Sequence, residues 1–295
     1  MNSIVLENST ARVEVSPSLG GSILAYDVNL NGQFIPILRE ASNAKSVHES
    51  ANFPLVPYSN RIRHGQFSWQ EKEMTLPLNH LPEKHSIHGH GWLLPWEIKH
   101  KTDTSLTLQY HYKTSDWPFS YRAEQVFTLK DNSLTIELSV INYSNNEMPA
   151  GLGLHPYFSL TDNTSITCSV EKMWTVDDES MPIELVNVPT GMTDSKGLLV
   201  TGSNLDNVFT GFDGAATITW PERKIMAKIT TSSNCKFAVI YSPKGKDFFC
   251  FEPVTHCTDA INLAQKGVKN TGVISLNPQE KVTVSMCISP EELTA

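Results

Sequence analysis

Leu106-Thr107-Leu108-Gln109-Tyr110-His111-Tyr112 alternates two kinds of side chain without a break. In a pleated strand successive side chains point to opposite faces. Leu106, Leu108, Tyr110 and Tyr112 therefore share one face, and Thr107, Gln109 and His111 the other. The same period recurs outward in both directions, in Leu134, Ile136, Leu138 and Val140, and again in Val282, Val284, Met286 and Ile288. Lys236-Phe-Ala-Val-Ile-Tyr241 reads as a buried strand, and no long segment carries the 3.6-residue period of a helix. Asn31-Gly32 separates two apolar runs and predicts a hairpin. Asp131-Asn132 does the same between Phe127-Thr-Leu129 and Leu134-Thr-Ile136. These signals predict an all-β protein, a large antiparallel β-sandwich with long loops.

At 295 residues the chain is long enough to bury a core without disulfides or metal. It shows no linker, composition break or fixed-period repeat, so a single domain over residues 1–295 is expected. The net charge of −8, with no Lys/Arg run, argues against nucleic acid, whose binding rests on phosphate neutralisation. No apolar run approaches a membrane span, and the N-terminus does not read as a signal peptide. The five cysteines are scattered, with no Cys-x-x-Cys pair, as expected of free thiols in a reducing cytoplasm. A cytoplasmic monomer or homodimer is the expectation.

Four segments carry candidate chemistry. In Gly151-Leu-Gly-Leu-His-Pro-Tyr-Phe158, the proline biases His155 toward an extended backbone, and the glycines let something approach the chain closely. His155 is either a rigidly held proton donor or a satisfied core histidine. In Phe248-Phe-Cys-Phe-Glu-Pro-Val-Thr-His256, the pleat puts Glu252 on the face of Phe248 and Cys250. Glu252 is either a carboxylate tuned toward a general base or the point where a strand meets solvent. Asn52-Phe-Pro-Leu-Val-Pro-Tyr-Ser-Asn-Arg-Ile62 is a stiff loop in which Asn60 and Arg61 offer directed donors. His85-Ser-Ile-His-Gly-His-Gly-Trp92 brings His88 and His90 onto one face if it is extended, where Glu97 could complete a metal site. The alternative is loop histidines held by backbone groups. Trp92, Trp96 and Tyr157 are candidate stacking surfaces or core residues. There is no phosphate-cradling glycine loop and no Gly-x-Ser-x-Gly elbow.

Taken in order, these segments resemble the aldose 1-epimerases (galactose mutarotase-like proteins) over nearly the whole chain. The resemblance is carried by Ser59-Asn-Arg-Ile62 with Gly65 and Phe67, His88-Gly-His-Gly-Trp92 with Trp96, His155-Pro-Tyr-Phe158, Leu205-Asp-Asn-Val-Phe209 and Glu252-Pro-Val-Thr-His256. It implies a β-supersandwich and cofactor-free, metal-free interconversion of sugar anomers. It also implies Glu252 as general base, His155 as general acid and His88 as a second histidine near the ring oxygen. Arg61 and Asp206 are implied as ligands of the sugar hydroxyls, with Asn60 and Trp92 beside them. On this basis the acid and base stand on either side of a pyranose, one near O1 and one near O5, with Glu252 ionised and His155 protonated at rest. Asn207, His90-Gly-Trp92 and Pro253-Val-Thr depart from the commoner family pattern and are expected to face the sugar or its surroundings. A free aldohexose is the expected substrate. A phosphorylated or modified sugar, a non-catalytic sugar sensor and a metal enzyme built on His88 and His90 are the alternatives.

Overall fold

The computed structural model describes residues 3–30, 32–113, 115–192, 194 and 196–293. Two large sheets dominate it, and every ladder between strands among the described residues is antiparallel. The first has nine strands, with Ser105–Tyr112, Tyr121–Lys130, Ser133–Asn142 and Lys281–Glu292 side by side at its centre. The predicted faces hold: Leu106, Leu108, Tyr110 and Tyr112 are buried, and Leu134, Ile136, Leu138 and Val140 are fully so. The Asp131-Asn132 turn closes a hairpin in which Lys130 pairs with Ser133 and Asp131 takes a left-handed φ of 50°. Strands Ser22–Leu30 and Gln33–Pro36 pair from Leu30↔Gln33, so a hairpin stands where Asn31-Gly32 predicts one; Asn31 itself lies outside the described residues.

The second sheet runs in the order Pro182–Asn187, Lys172–Val176, Asp206–Thr210, Phe237–Tyr241, Phe248–Val254, Gly153–Leu154 and Pro54–Leu55, and Tyr157–Ser159 also pairs with Phe248–Val254. Its central strands, Phe237–Tyr241 and Phe248–Val254, bury both faces. Phe209, Ala238, Ile240, Phe249 and Phe251 join the main core together with Leu106, Phe127 and Leu138 of the first sheet. Val208, Phe237, Val239, Cys250 and Val254 point the other way, into a smaller cluster with Phe53, Trp92 and Tyr157. Two-sided burial explains why Phe248-Phe-Cys-Phe251 is a continuous apolar run where the first sheet alternates. The single α-helix among the described residues is short, Ala260–Gln265. No helix is long and apolar enough to cross a membrane. All five cysteines are free.

Candidate active site

Glu252 lies inside Phe248–Val254, on the face that carries Cys250 and Val254. It sits where a hydrophobe would ordinarily pack and is only 2% exposed, so it does not mark the strand's exit into solvent. Its Oε1 is 3.2 Å from His155 Nε2, and its Oε2 has no hydrogen-bond partner. His155 follows the short strand Gly153–Leu154 and donates its backbone N–H to Phe53 O at 3.1 Å.

The two glycines before His155 admit close neighbours from the protein itself. A Cβ on Gly151 would fall 1.8 Å from the His256 ring, and one on Gly153 would fall 2.5 Å from Val254. His256 is a backbone clip: its Nε2 accepts the Ser59 N–H at 3.1 Å, and its Nδ1 lies 2.7 Å from Cys257 O. Burial pulls its pKa down to about 4, so it stays neutral with the proton on Nδ1.

Two aromatic rings pack on the His155 ring. Phe53 lies with its centroid 4.4 Å away and Tyr157 with its centroid 4.8 Å away, and the two rings are themselves 6.1 Å apart. Trp92 continues the contacts from Phe53 at 5.4 Å, and the Arg39 guanidinium lies 3.6 Å over Tyr157. Arg39 also donates from Nε to Ser50 O at 2.7 Å and from Nη2 to His48 O.

Asn60 and His88 both take left-handed backbone conformations and bond each other reciprocally. The Asn60 N–H donates to His88 Nδ1, and the His88 N–H to Asn60 O, both at 3.0 Å. Burial, reinforced by His155 and Arg61, holds the His88 imidazole well below its usual pKa. With Nδ1 accepting, the ring's proton is on Nε2, and His88 is a neutral donor. The left-handed turn at His88 and Gly89 also sends His88 and His90 in different directions. His90 stacks on Tyr112 at 4.9 Å, and Glu97 is exposed on the strand Glu97–Lys101. The alternative of a metal site built on His88, His90 and Glu97 is not among the converging ligand groups of the described residues. Among the described residues, the group whose ligand-type atoms converge is His155, Cys250 and Glu252, all within 4.8 Å of one another.

A cavity of about 240 Å³ opens in front of the pair. Asn60, Arg61, His88, Trp92, His155, Asp206 and Glu252 all line it. Arg61 Nε bonds Glu83 Oε2 at 3.1 Å, and Asp206 Oδ2 accepts from Ser180 Oγ at 2.8 Å. Sequence reasoning missed His48, Glu83 and Tyr241 in the wall. Strand parity with Val239 was a usable signal for Tyr241, whereas His48 and Glu83 lie in segments without one. His80 belongs to the histidine-rich stretch and stands 4.1 Å from His48, ring to ring.

Asn207, His90 and Pro253 do not line the cavity. Asn207 Nδ2 instead bonds Trp174 O at 2.8 Å, because strand alternation turns it away from Asp206. Trp96 packs in the main core, with its Nε1 bonded to Gly91 O at 2.7 Å.

One expectation about the acid–base pair needs correction. Glu252 and His155 do not stand on opposite sides of a ring-sized gap; they lie 3.2 Å apart. Burial pushes the Glu252 carboxyl well above its usual range, reinforced by Asp206 and opposed by Arg61. Burial pulls His155 down to about 3, with Arg39 and His48 adding to the effect. A second proton would leave an unpaired imidazolium in the interior, and loss of the only proton would leave an unpaired carboxylate. Both are costly, so burial favours one proton between the two groups, on either the carboxyl or the imidazole.

Comparison with known proteins identifies the fold and the family. The sequence pattern described as Aldose 1-epimerase matches residues 2–289. The uncharacterised protein YphB of Escherichia coli K12 is 31% identical over 266 residues, covering 88% of this chain and 90% of its own. The crystal structure of a candidate aldose 1-epimerase from E. coli K12 superposes with a TM-score of 0.89 at 28% identity, covering 99% of both chains. A galactose mutarotase-like protein from Clostridium acetobutylicum has the same fold, with a TM-score of 0.85 at 20% identity over 98% of this chain and 95% of that one. The supersandwich, the order of the motifs and a match that spans both sheets have one reading: the chain belongs to the aldose 1-epimerase family.

Proposed function

We propose that the protein is a cofactor-independent aldose 1-epimerase that interconverts the α and β anomers of a free aldohexose. The observation that carries this reading is the His155–Glu252 contact of 3.2 Å at the wall of a sugar-sized cavity. Glu252 takes the proton of the anomeric hydroxyl, and His155 gives one to the ring oxygen. The C1–O5 bond breaks, the C1–C2 bond rotates, and the ring closes on the other face of the carbonyl with both proton transfers reversed. O1 and O5 are bonded to the same carbon, so an acid and a base in mutual contact can serve both. One proton enters the pair as another leaves it, and the pair is restored at closure, so the step balances without metal or nucleotide.

The neutral His88 donates from Nε2 toward the ring oxygen without competing for the proton in transit. Arg61, Asn60 and Asp206 bond the remaining hydroxyls, and Trp92 with Phe53 supplies an apolar face for the pyranose. The lining favours a neutral sugar over a phosphorylated one. Its acids are Glu83, Asp206 and Glu252, and its guanidinium, Arg61, is already paired with Glu83. A phosphate would meet more repulsion than attraction here.

Polarimetry on freshly dissolved α-glucose and α-galactose tests the proposal. Wild type should accelerate the approach to equilibrium rotation, and Glu252→Gln and His155→Asn should both lose most of that rate. Full activity in either variant removes that residue from the mechanism. No acceleration by wild type on a wide panel of sugars would favour a non-catalytic sugar-binding protein.

A further inference from the structure

Cys250 has no place in the anomerisation chemistry. It does not line the cavity, yet it stands directly behind the pair. It lies one alternation step from Glu252 on the same strand face and pairs across the ladder with Tyr157. Its sulfur, a ring nitrogen of His155 and a carboxylate oxygen of Glu252 all lie within 4.8 Å of one another, and all three residues are buried. Two atoms of this group, His155 Nδ1 and Glu252 Oε2, are buried without partners.

We propose that His155, Cys250 and Glu252 form an inhibitory site for a thiophilic divalent cation, such as zinc, that closes over the catalytic pair. One thiolate, one imidazole and one carboxylate make a zinc donor set that leaves a fourth position for water. Zinc bonds of about 2.0–2.3 Å put tetrahedral ligand atoms roughly 3.5 Å apart, so each side chain has to move by about an ångström or less.

The charges also close. On binding, the Cys250 S–H proton and the proton shared by His155 and Glu252 leave to solvent. Metal–sulfur, metal–nitrogen and metal–oxygen bonds form, and nothing is oxidised or reduced. A divalent cation with one thiolate and one carboxylate is neutral overall, which suits a buried position. Asp206 and Glu83 in the cavity wall favour the entry of a cation, while Arg39, behind Tyr157, opposes it. Occupancy ties up the acid and the base together, so sugar and metal exclude each other.

The inhibitory consequence rests on the catalytic reading of His155 and Glu252; the binding itself does not. The test is therefore optical as well as kinetic. Co²⁺ added to the metal-free full chain should give a sulfur-to-cobalt charge-transfer band in the near ultraviolet and visible bands of a four-coordinate ion. Zn²⁺ should displace it and stop mutarotation at near-stoichiometric amounts. Cys250→Ser should lose the charge-transfer band and need at least tenfold more Zn²⁺ for half inhibition, with its metal-free rate unchanged. Cys250→Ala serves as a second variant should the serine disturb the buried strand. Absence of the sulfur band in wild type overturns the site. So does a zinc sensitivity unchanged in both variants, which would place the metal elsewhere, with the His48–His80 pair as the next place to look. Should wild type prove inactive on every sugar, the cobalt band and its loss in the variants still decide the metal site.

Discussion

The two large sheets are built from the same kind of strand but are used differently. The nine-stranded sheet packs one face on the main core and turns the other outward, so its strands alternate and none of its residues lines the candidate cavity. The second sheet is buried on both faces at its central strands, and Asp206, Tyr241 and Glu252 on its cavity face line the site. A carboxyl in the middle of a doubly buried strand costs packing and solvation that an apolar residue would not. In this molecule such a local loss marks function more sharply than loop composition does.

Substitutions can break this contrast. The largest effect expected is from Glu252→Gln, which keeps shape and removes the base: a loss of about 10²- to 10⁴-fold in kcat by polarimetry, with the unfolding midpoint unchanged or raised. Leu138→Ala in the nine-stranded sheet should show the opposite pattern. It leaves a cavity in the main core and should cost about 2–5 kcal/mol in denaturant unfolding, with kcat per folded molecule unchanged. Equal losses of activity in both variants would erase the division between the sheets.

His256 gives a pH-dependent test. Its folded pKa is about 4, below the unfolded value near 6.5, so the unfolded chain binds the proton first. The stability it confers is complete above pH 6.5 and is lost as pH falls toward 4, by about 3 kcal/mol. His256→Gln should flatten that stretch of a plot of unfolding free energy against pH.

Asp206→Asn, at the cavity wall, should raise KM about tenfold with kcat less affected. Asn207→Asp, one residue on and facing away, should change KM less than about threefold. The activity profile refines the account of the pair itself. With His155 depressed to about 3 and Glu252 raised, the one-proton state spans neutral pH. The bell-shaped profile should therefore have a broad flat top rather than the narrow window between an ordinary carboxyl and an ordinary imidazole.

Much of this was readable from the chain. The period of two identified the central strands and their buried faces, and the segments resembling the family delivered seven residues that line one cavity. What escaped the sequence has physical causes. His48 and Glu83 reach the site from segments whose local pattern says nothing about distant packing. The divergence of His88 and His90 depends on left-handed φ at His88 and Gly89, and an extended reading of the segment cannot anticipate it. Asn207 is expected from its motif to face the sugar or its surroundings, but adjacency to Asp206 along a strand puts it on the opposite face. The contact between His155 and Glu252 and the burial of both groups depend on packing between segments almost a hundred residues apart.

The ring stack ends in an indole. Trp92 borders the cavity, stacks on Phe53 and stands edge-on to His48 at 4.9 Å. A pyranose entering the site replaces the water beside that chromophore, so occupancy should register as a change in tryptophan emission. The molecule thus carries its own optical gauge of ligand affinity, independent of turnover. A 1-deoxy sugar, which has no anomeric hydroxyl to give up, could be titrated by fluorescence alone, and Trp92→Phe should silence the signal while leaving the acid and the base in place.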